Sequence, residues 1–120
     1  MTGYPIPILR SFDEAKTKEF YIEFLGFEMV FEHKHDPSSP LYMGVIRDEC
    51  ALHISEHHDD SCPGSALRIE VEDVDNWCRE LNARGYKNAR PAITEQPRGY
   101  REMVISDPSG NRLIFCTPVA

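Results

Sequence analysis

His53 is the residue of this sequence whose type and position best suit chemistry. It lies in the run 51–55, where it alternates with the apolar Leu52 and Ile54. Because successive side chains of a strand point to opposite faces, His53 faces away from the side that these two residues bury. An imidazole there can hydrogen-bond or stack against a ligand, or act as a lone acid or base. Half-exposed strands also carry polar residues without such a role, so we interpret His53 as a ligand contact and not as a catalytic residue.

Other aromatic and charged side chains could contact the same ligand. Those that we select beside His53 are Tyr42, Arg98, Tyr100 and Glu102. Aromatic rings stack on planar ligands and attract cations, and a few polar groups suffice to orient a ligand in a mostly apolar site. Arg98 and Tyr100 flank Gly99 in a predicted loop, and an exposed loop without function is the competing interpretation there.

A further polar cluster follows the strand that carries His53, in the sequence EHHDD at 56–60. Consecutive histidines can bind transition metals. Such a run is more often a solvated loop, and this one follows a strand instead of forming the helix turn that would bring its histidines together. No serine–histidine–aspartate or cysteine–histidine arrangement has recognisable spacing either. We therefore predict no catalytic residue, no metal ligand and no cofactor.

Composition limits the classes of partner. The chain has 120 residues, of which 41% are hydrophobic, and a formal net charge of −7. The negative charge argues against nucleic acid, which needs clustered Lys and Arg. It suits a cationic small molecule, or it serves only solubility. None of the four cysteines lies in a CxxC pair, and neither a signal peptide nor an apolar run of membrane length stands out, so we expect a cytoplasmic protein with reduced thiols.

The elements that position these residues occur twice along the chain. The first half predicts a strand at 4–10, a helix at 13–25 capped by Asp13 and ended by Gly26, and strands at 27–34, 41–47 and 51–55. The second half predicts a strand at 66–71, a helix that Asp73 caps and Gly85 ends, and strands at 86–93, 101–106 and 112–116. We expect Arg101 and Glu102 to form an ion pair between strands. The sole tryptophan, Trp77, is expected to pack in the core.

This shared order predicts a duplicated βαβββ unit and an α+β fold. We expect one domain over residues 1–120, with repeat halves at 1–62 and 63–120 and the function in a cleft between curved sheets. Three features then carry a resemblance: the sequence VIRDECALHIS at 45–55, EQPRGYRE at 95–102 and DPSGN at 107–111. Together they resemble the glyoxalase/bleomycin-resistance family of the vicinal oxygen chelate superfamily, over nearly the whole chain.

The resemblance implies two βαβββ modules that curve a mixed sheet around a concave face, and a homodimer that completes the clefts. In the bleomycin-resistance branch the ligand is a cationic antibiotic, which is sequestered and not transformed. In the enzymatic branch four strands supply metal ligands, at positions close to Ile6, His53, Ser65 and Ile114 here. Only His53 is a credible ligand, and catalytic metals normally keep about three protein ligands. We therefore predict a non-enzymatic binding protein, with a metal-dependent lyase, isomerase or dioxygenase as the alternative.

Overall fold

The first half of the chain forms one βαβββ unit. A computed structural model of the protein describes residues 1–87, 89–97 and 99–119. Strand β1 (Ile8–Arg10) leads into helix α1 (Glu14–Lys18), which continues as a π-helical segment (Glu19–Phe24), and then come β2 (Glu28–His33), β3 (Tyr42–Arg47) and β4 (Cys50–Ser55). The four strands form one sheet in the order β1-β4-β3-β2, with β1 parallel to β4 and the other pairs antiparallel.

The second half repeats this architecture. Its elements are β5 (Ala66–Glu70), α2 (Val74–Ala83), β6 (Ile93–Gln96), β7 (Tyr100–Ser106) and β8 (Arg112–Pro118). They form a second four-stranded sheet in the order β5-β8-β7-β6, again with the first strand parallel to the last. The predicted α+β fold of two βαβββ modules with mixed sheets is thus confirmed. Among the described residues the two sheets share no strand pairing.

Matching caps begin and end the two helical segments. The Asp13 side chain accepts a hydrogen bond from the backbone N–H of Lys16, and Asp73 does the same for Asn76. Gly26 and Gly85 end the segments with φ of 81° and 65°, a region that glycine enters without the steric cost of a Cβ. These positions are the ones that the sequence predicts.

The first helical segment changes its winding midway. The backbone N–H of Leu25 donates to the carbonyl of Phe20, five residues earlier, at 2.9 Å. The aromatic side chains on this stretch are buried, with Phe20 and Tyr21 both 0% exposed. The wider turn therefore lies where the segment packs its largest side chains into the core.

Two strands differ from their predicted bounds by more than two residues. The strand predicted at 4–10 begins only at Ile8, because Pro5 and Pro7 have no N–H to donate to a neighbouring strand. The strand predicted at 86–93 is wrong over most of its length: within the described residues, Ala89 N–H closes a turn on the Tyr86 carbonyl, and β6 starts at Ile93. Tyr86 instead stacks on Phe24 of the first half, with ring centroids 4.6 Å apart.

One continuous hydrophobic core joins the helices to the inner faces of both sheets. Trp77 belongs to the buried set, as predicted, and Cys78 and Cys116 are buried as well. The opposite face of the first sheet leaves large apolar side chains exposed, among them Ile8 and Phe31. No helix in the described ranges is both long and apolar enough to cross a membrane.

Candidate ligand-binding site

An aromatic cluster around His53 lies on the outer face of the first sheet. Strand register places Ile8, His53, Gly44 and Phe31 in one row across β1, β4, β3 and β2, so their side chains share a face. Tyr42 and Ser55 occupy the next row on that face. The outward direction of His53 follows from the burial of Leu52 and Ile54, each 1% exposed, on the other side.

The members of this cluster contact one another. Tyr42 Oη and His53 Nδ1 are 2.8 Å apart and share a hydrogen bond. The Phe31 ring meets the imidazole edge to face, with centroids 5.2 Å apart, and lies nearly parallel to the Tyr42 ring at 6.1 Å. Burial and the nearby Asp60 carboxylate raise the pKa of Tyr42. Tyr42 is therefore a neutral phenol at physiological pH, able to hold the imidazole in place.

Gly44 makes room for Phe31. A Cβ added to Gly44 would lie 2.4 Å from the nearest carbon of the Phe31 ring, closer than carbon atoms approach. The strand pairing is irregular between Met29 and Phe31, and this irregularity changes the direction of the β2 side chains at this point. The glycine and this irregularity together let the ring lie flat over the sheet beside His53.

The outer face of the second sheet carries an ion pair between a buried carboxylate and an exposed arginine. Glu102 is only 5% exposed, and its Oε2 lies 2.6 Å from Nη2 of Arg68, two strands away in the sheet. The Arg68 guanidinium also lies 5.2 Å from the centre of the Tyr100 ring. Cys116 pairs with Glu102 across β7 and β8, and burial raises the pKa of its thiol. An uncharged, buried thiol of this kind is unreactive.

The ion pair expected between Arg101 and Glu102 is not formed. Neighbouring residues of one strand point to opposite faces, so these two side chains cannot meet. Arg101 instead makes two hydrogen bonds of 2.8 Å to the Asp75 carboxylate on α2, which lowers the pKa of Asp75. Glu102 is held by Arg68 on the other face.

The structure groups the predicted site residues into two patches. Tyr42 and His53 meet on the first sheet, whereas Tyr100 and Glu102 share a face of the second. Arg98 lies outside the described residues. Two members of these patches, Phe31 and Arg68, were missed by sequence reasoning. Each lies in a predicted strand, and only strand register shows that it faces the same side as the predicted residues.

The chain's own side chains do not fit the metal site of the enzymatic branch. Ile6 and Ile114 are hydrocarbons, and the Ser65 hydroxyl donates to a carbonyl of its own loop. His53 alone offers a strong donor, and its Nδ1 is already bonded to Tyr42. In the described part of the chain, no three His, Cys, Asp or Glu side chains come together in a group that could hold a metal.

Comparison with known proteins identifies the family to which this chain belongs. The family described as "Glyoxalase superfamily protein" matches residues 3–120. The chain therefore belongs to the glyoxalase superfamily, which confirms the resemblance drawn from its motifs. No curated protein matches the chain.

Solved structures share the fold over nearly the whole chain. A bleomycin-binding protein complexed with bleomycin aligns with a TM-score of 0.75 and 24% identity, covering 97% of this chain and 98% of that one. TnmS3, an antibiotic binding protein from Streptomyces sp. CB03234, aligns with a TM-score of 0.72, 24% identity and 98% coverage of both chains. A glyoxalase family protein from Enterococcus faecalis has a TM-score of 0.70 and 21% identity, covering 92% of this chain and 93% of that one.

Proposed function

We propose that this protein binds and sequesters a planar, cationic small molecule without transforming it. The observation that carries the proposal is the accessible aromatic cluster of Phe31, Tyr42 and His53 on an otherwise open sheet face. Rings held at these spacings offer a stacking surface for a flat ligand at little cost in side-chain entropy. The His53 imidazole is held by a neutral phenol and not by the carboxylate that would orient a catalytic base.

The second sheet supplies the complementary half of this proposed site. Tyr100 adds a further aromatic ring beside Arg68 and Glu102. Because Arg68 already neutralises Glu102, we assign attraction of a cation to the net charge of −7 rather than to Glu102 alone. Stacking then provides most of the binding energy, and Glu102 orients Arg68 over Tyr100.

A homodimer would bring the two patches together. They lie on two different sheets, which share no strand pairing in the described residues. Large apolar side chains are exposed on the outer faces, and exposed patches of this kind are typical of association surfaces. They include Ile8 and Phe31 on the first sheet and Val104 on the second. We propose that the first sheet of one copy faces the second sheet of another across the ligand.

Two of the structural relatives support the ligand class. One is described as a bleomycin-binding protein complexed with bleomycin, and another as an antibiotic binding protein. Bleomycin is therefore the first compound to test. Isothermal titration calorimetry with metal-free and copper-loaded bleomycin should give saturable binding, and sedimentation should give twice the monomer mass of 13.8 kDa. Absence of binding at high micromolar bleomycin would contradict the antibiotic version of the proposal.

Variants of the cluster test where the ligand binds. His53→Ala and Tyr100→Ala should each weaken binding, by about tenfold if a stacking contact is lost. Tyr4→Ala removes an exposed ring outside both patches and should bind like the wild type. Metal analysis of protein purified without chelator tests the non-enzymatic part. Stoichiometric nickel, zinc, manganese or iron that disappears in His53→Ala would overturn it.

A further inference from the structure

Arg68 is an exposed arginine whose guanidinium the second sheet holds in place. Its side chain is 41% exposed, and its Nη2 lies 2.6 Å from Oε2 of the buried Glu102. The guanidinium also lies 5.2 Å from the centre of the Tyr100 ring. A mobile arginine loses side-chain entropy when it binds a ligand, and contacts that fix it beforehand remove part of that cost. Arg68 is therefore prepared to bind a further group.

The pairing of Glu102 with Arg68 does little to stabilise the fold. An ion pair with an exposed partner contributes little to stability, whereas a carboxylate that is removed from water loses its hydration. Glu102 is nevertheless only 5% exposed, on a strand face where its neighbour Val104 is 45% exposed. The result of burying this carboxylate is a guanidinium with a fixed position at the surface.

The guanidinium of Arg68 keeps donors for another acceptor. An arginine has five N–H donors. The contact with Glu102 is close but poorly aligned, because Oε2 has no hydrogen-bond partner of good geometry among the described residues. Within the same residues, Glu102 is the only carboxylate at ion-pair distance from Arg68. The exposed edge of the guanidinium is thus free to meet an acceptor from outside the chain.

The internal duplication gives Arg68 the same place in the second sheet that the His53 row has in the first. In each half, the residue directly after the first strand donates its backbone N–H to a carbonyl of the last strand, that of Ser55 or that of Cys116. His53 lies two residues before Ser55, and Ile114 lies two residues before Cys116. Ile114 pairs with Arg68 across β8 and β5. The two rows are therefore equivalent parts of the two outer faces.

We propose that the ligand of these outer faces carries an oxyanion, such as a carboxylate or a sulfonate, and that Arg68 binds it. This inference rests on the proposed function, because it takes the two faces as the site, and it narrows the ligand from a planar cation to a planar zwitterion. The flat cationic part stacks on the aromatic cluster of the first sheet. The oxyanion accepts hydrogen bonds from the guanidinium, whose planar fork matches two oxygens of one anionic group.

Rhodamine B and its ethyl ester are a matched pair of probes, because they share a flat xanthylium cation and differ in whether one carboxylate is free or esterified. Fluorescence anisotropy should show that the wild type binds rhodamine B about tenfold more tightly, the effect of one charge-assisted contact. Equal affinity for the two dyes, or tighter binding of the ester, would overturn this inference and leave the proposed function standing. Absence of binding of both dyes would also overturn it, while bleomycin binding tests the proposed function separately.

A double variant assigns the preference to Arg68. Arg68→Met combined with Glu102→Gln removes the guanidinium without leaving a buried charge, and it keeps the formal net charge at −7. The ratio of the two dissociation constants should fall from about tenfold to about one, because no fork remains for the carboxylate. Thermal unfolding verifies that the variant is folded. An unchanged ratio in the folded double variant would overturn the assignment.

Arg112→Met is the matched control. Arg112 is an exposed arginine on the same face of the second sheet, on β8 beside the strand of Arg68, and it forms no ion pair among the described residues. It should keep the preference for rhodamine B over the ester. Loss of the preference in Arg112→Met to the same extent as in the double variant would mean attraction by the positive charge of this face in general, and would overturn the role of Arg68.

Discussion

Tyr21 donates a hydrogen bond of 2.7 Å from its hydroxyl to Oδ2 of Asp107, joining residues 86 positions apart. Tyr21 lies on the π-helical segment of the first half, and Asp107 begins the DPSGN turn of the second. The same turn reaches the first half again through Asn111, whose Nδ2 donates to the Arg10 carbonyl at 2.7 Å. The DPSGN motif therefore fastens one βαβββ unit to the other, in addition to turning the chain between β7 and β8.

The substitution Tyr21→Phe should destabilise the protein by about 1.5 kcal/mol, because it removes a hydrogen bond to a buried carboxylate and no packing volume. Asp107 keeps its bond from Asn111 Nδ2 at 2.9 Å, which limits the loss. Urea unfolding measures the change. Tyr4→Phe, at a position 80% exposed, is the matched control and should not change the urea concentration at the midpoint of unfolding. Equal midpoints for wild type and Tyr21→Phe would contradict the role of this bond.

The free energy of unfolding should fall in alkaline solution, and it should fall more steeply in the wild type than in Tyr21→Phe. Burial, and then the negative charge of Asp107, raise the pKa of Tyr21 well above 10.0. A folded-state pKa above the unfolded value means that the contribution is fully present below about pH 10 and is lost as pH rises through the folded-state pKa. Unfolding curves between pH 7 and pH 11 should show a smaller alkaline loss in Tyr21→Phe. An equal loss of stability in the wild type and in Tyr21→Phe would argue against the raised pKa of Tyr21.

Substitution Gly44→Ala should displace the Phe31 ring. The new methyl would occupy the place where the ring lies, at 2.4 Å, while the backbone of Gly44 itself needs no unusual φ. Phe31 is on an edge strand and 40% exposed, so the ring can turn outwards, and we expect a stability loss of about 1 kcal/mol. Near-ultraviolet circular dichroism and bleomycin titration should report the disturbed cluster. Gly3→Ala, where nothing lies within 4 Å, is the control.

Removal of Arg68 should leave the Glu102 carboxylate buried without its partner. We expect Arg68→Met to be destabilising, and the double variant Arg68→Met, Glu102→Gln to recover stability, because a neutral amide is less costly to bury than an unpaired charge. Thermal unfolding of the four proteins in this cycle measures the coupling. Arg90→Met, an exposed arginine in no described ion pair, is the control. Additive effects in the cycle would show that the 2.6 Å contact contributes nothing.

Several features were predictable because their causes are local. Leu52 and Ile54 bury one face of β4, which sends His53 to the other, and the aspartate and glycine caps fix the helix ends. The strand misplaced at 86–93 shows the limit of such reasoning. Its apolar residues satisfy a strand pattern, but Tyr86 is used in an aromatic stack with Phe24 from the other half. No residue near Tyr86 in the sequence indicates that its ring stacks on Phe24.

The sequence by itself determined that the chain repeats a βαβββ unit and that Tyr42 and His53 belong to strands with one open face. Alternation, caps and turns act over a few residues, so these properties can be read along the chain. Only the tertiary structure decided that Phe31 lies over Gly44 beside His53, that Arg68 neutralises Glu102, and that Tyr86 stacks on Phe24. Each depends on strand order or on packing between the halves, where the partners are far apart in sequence.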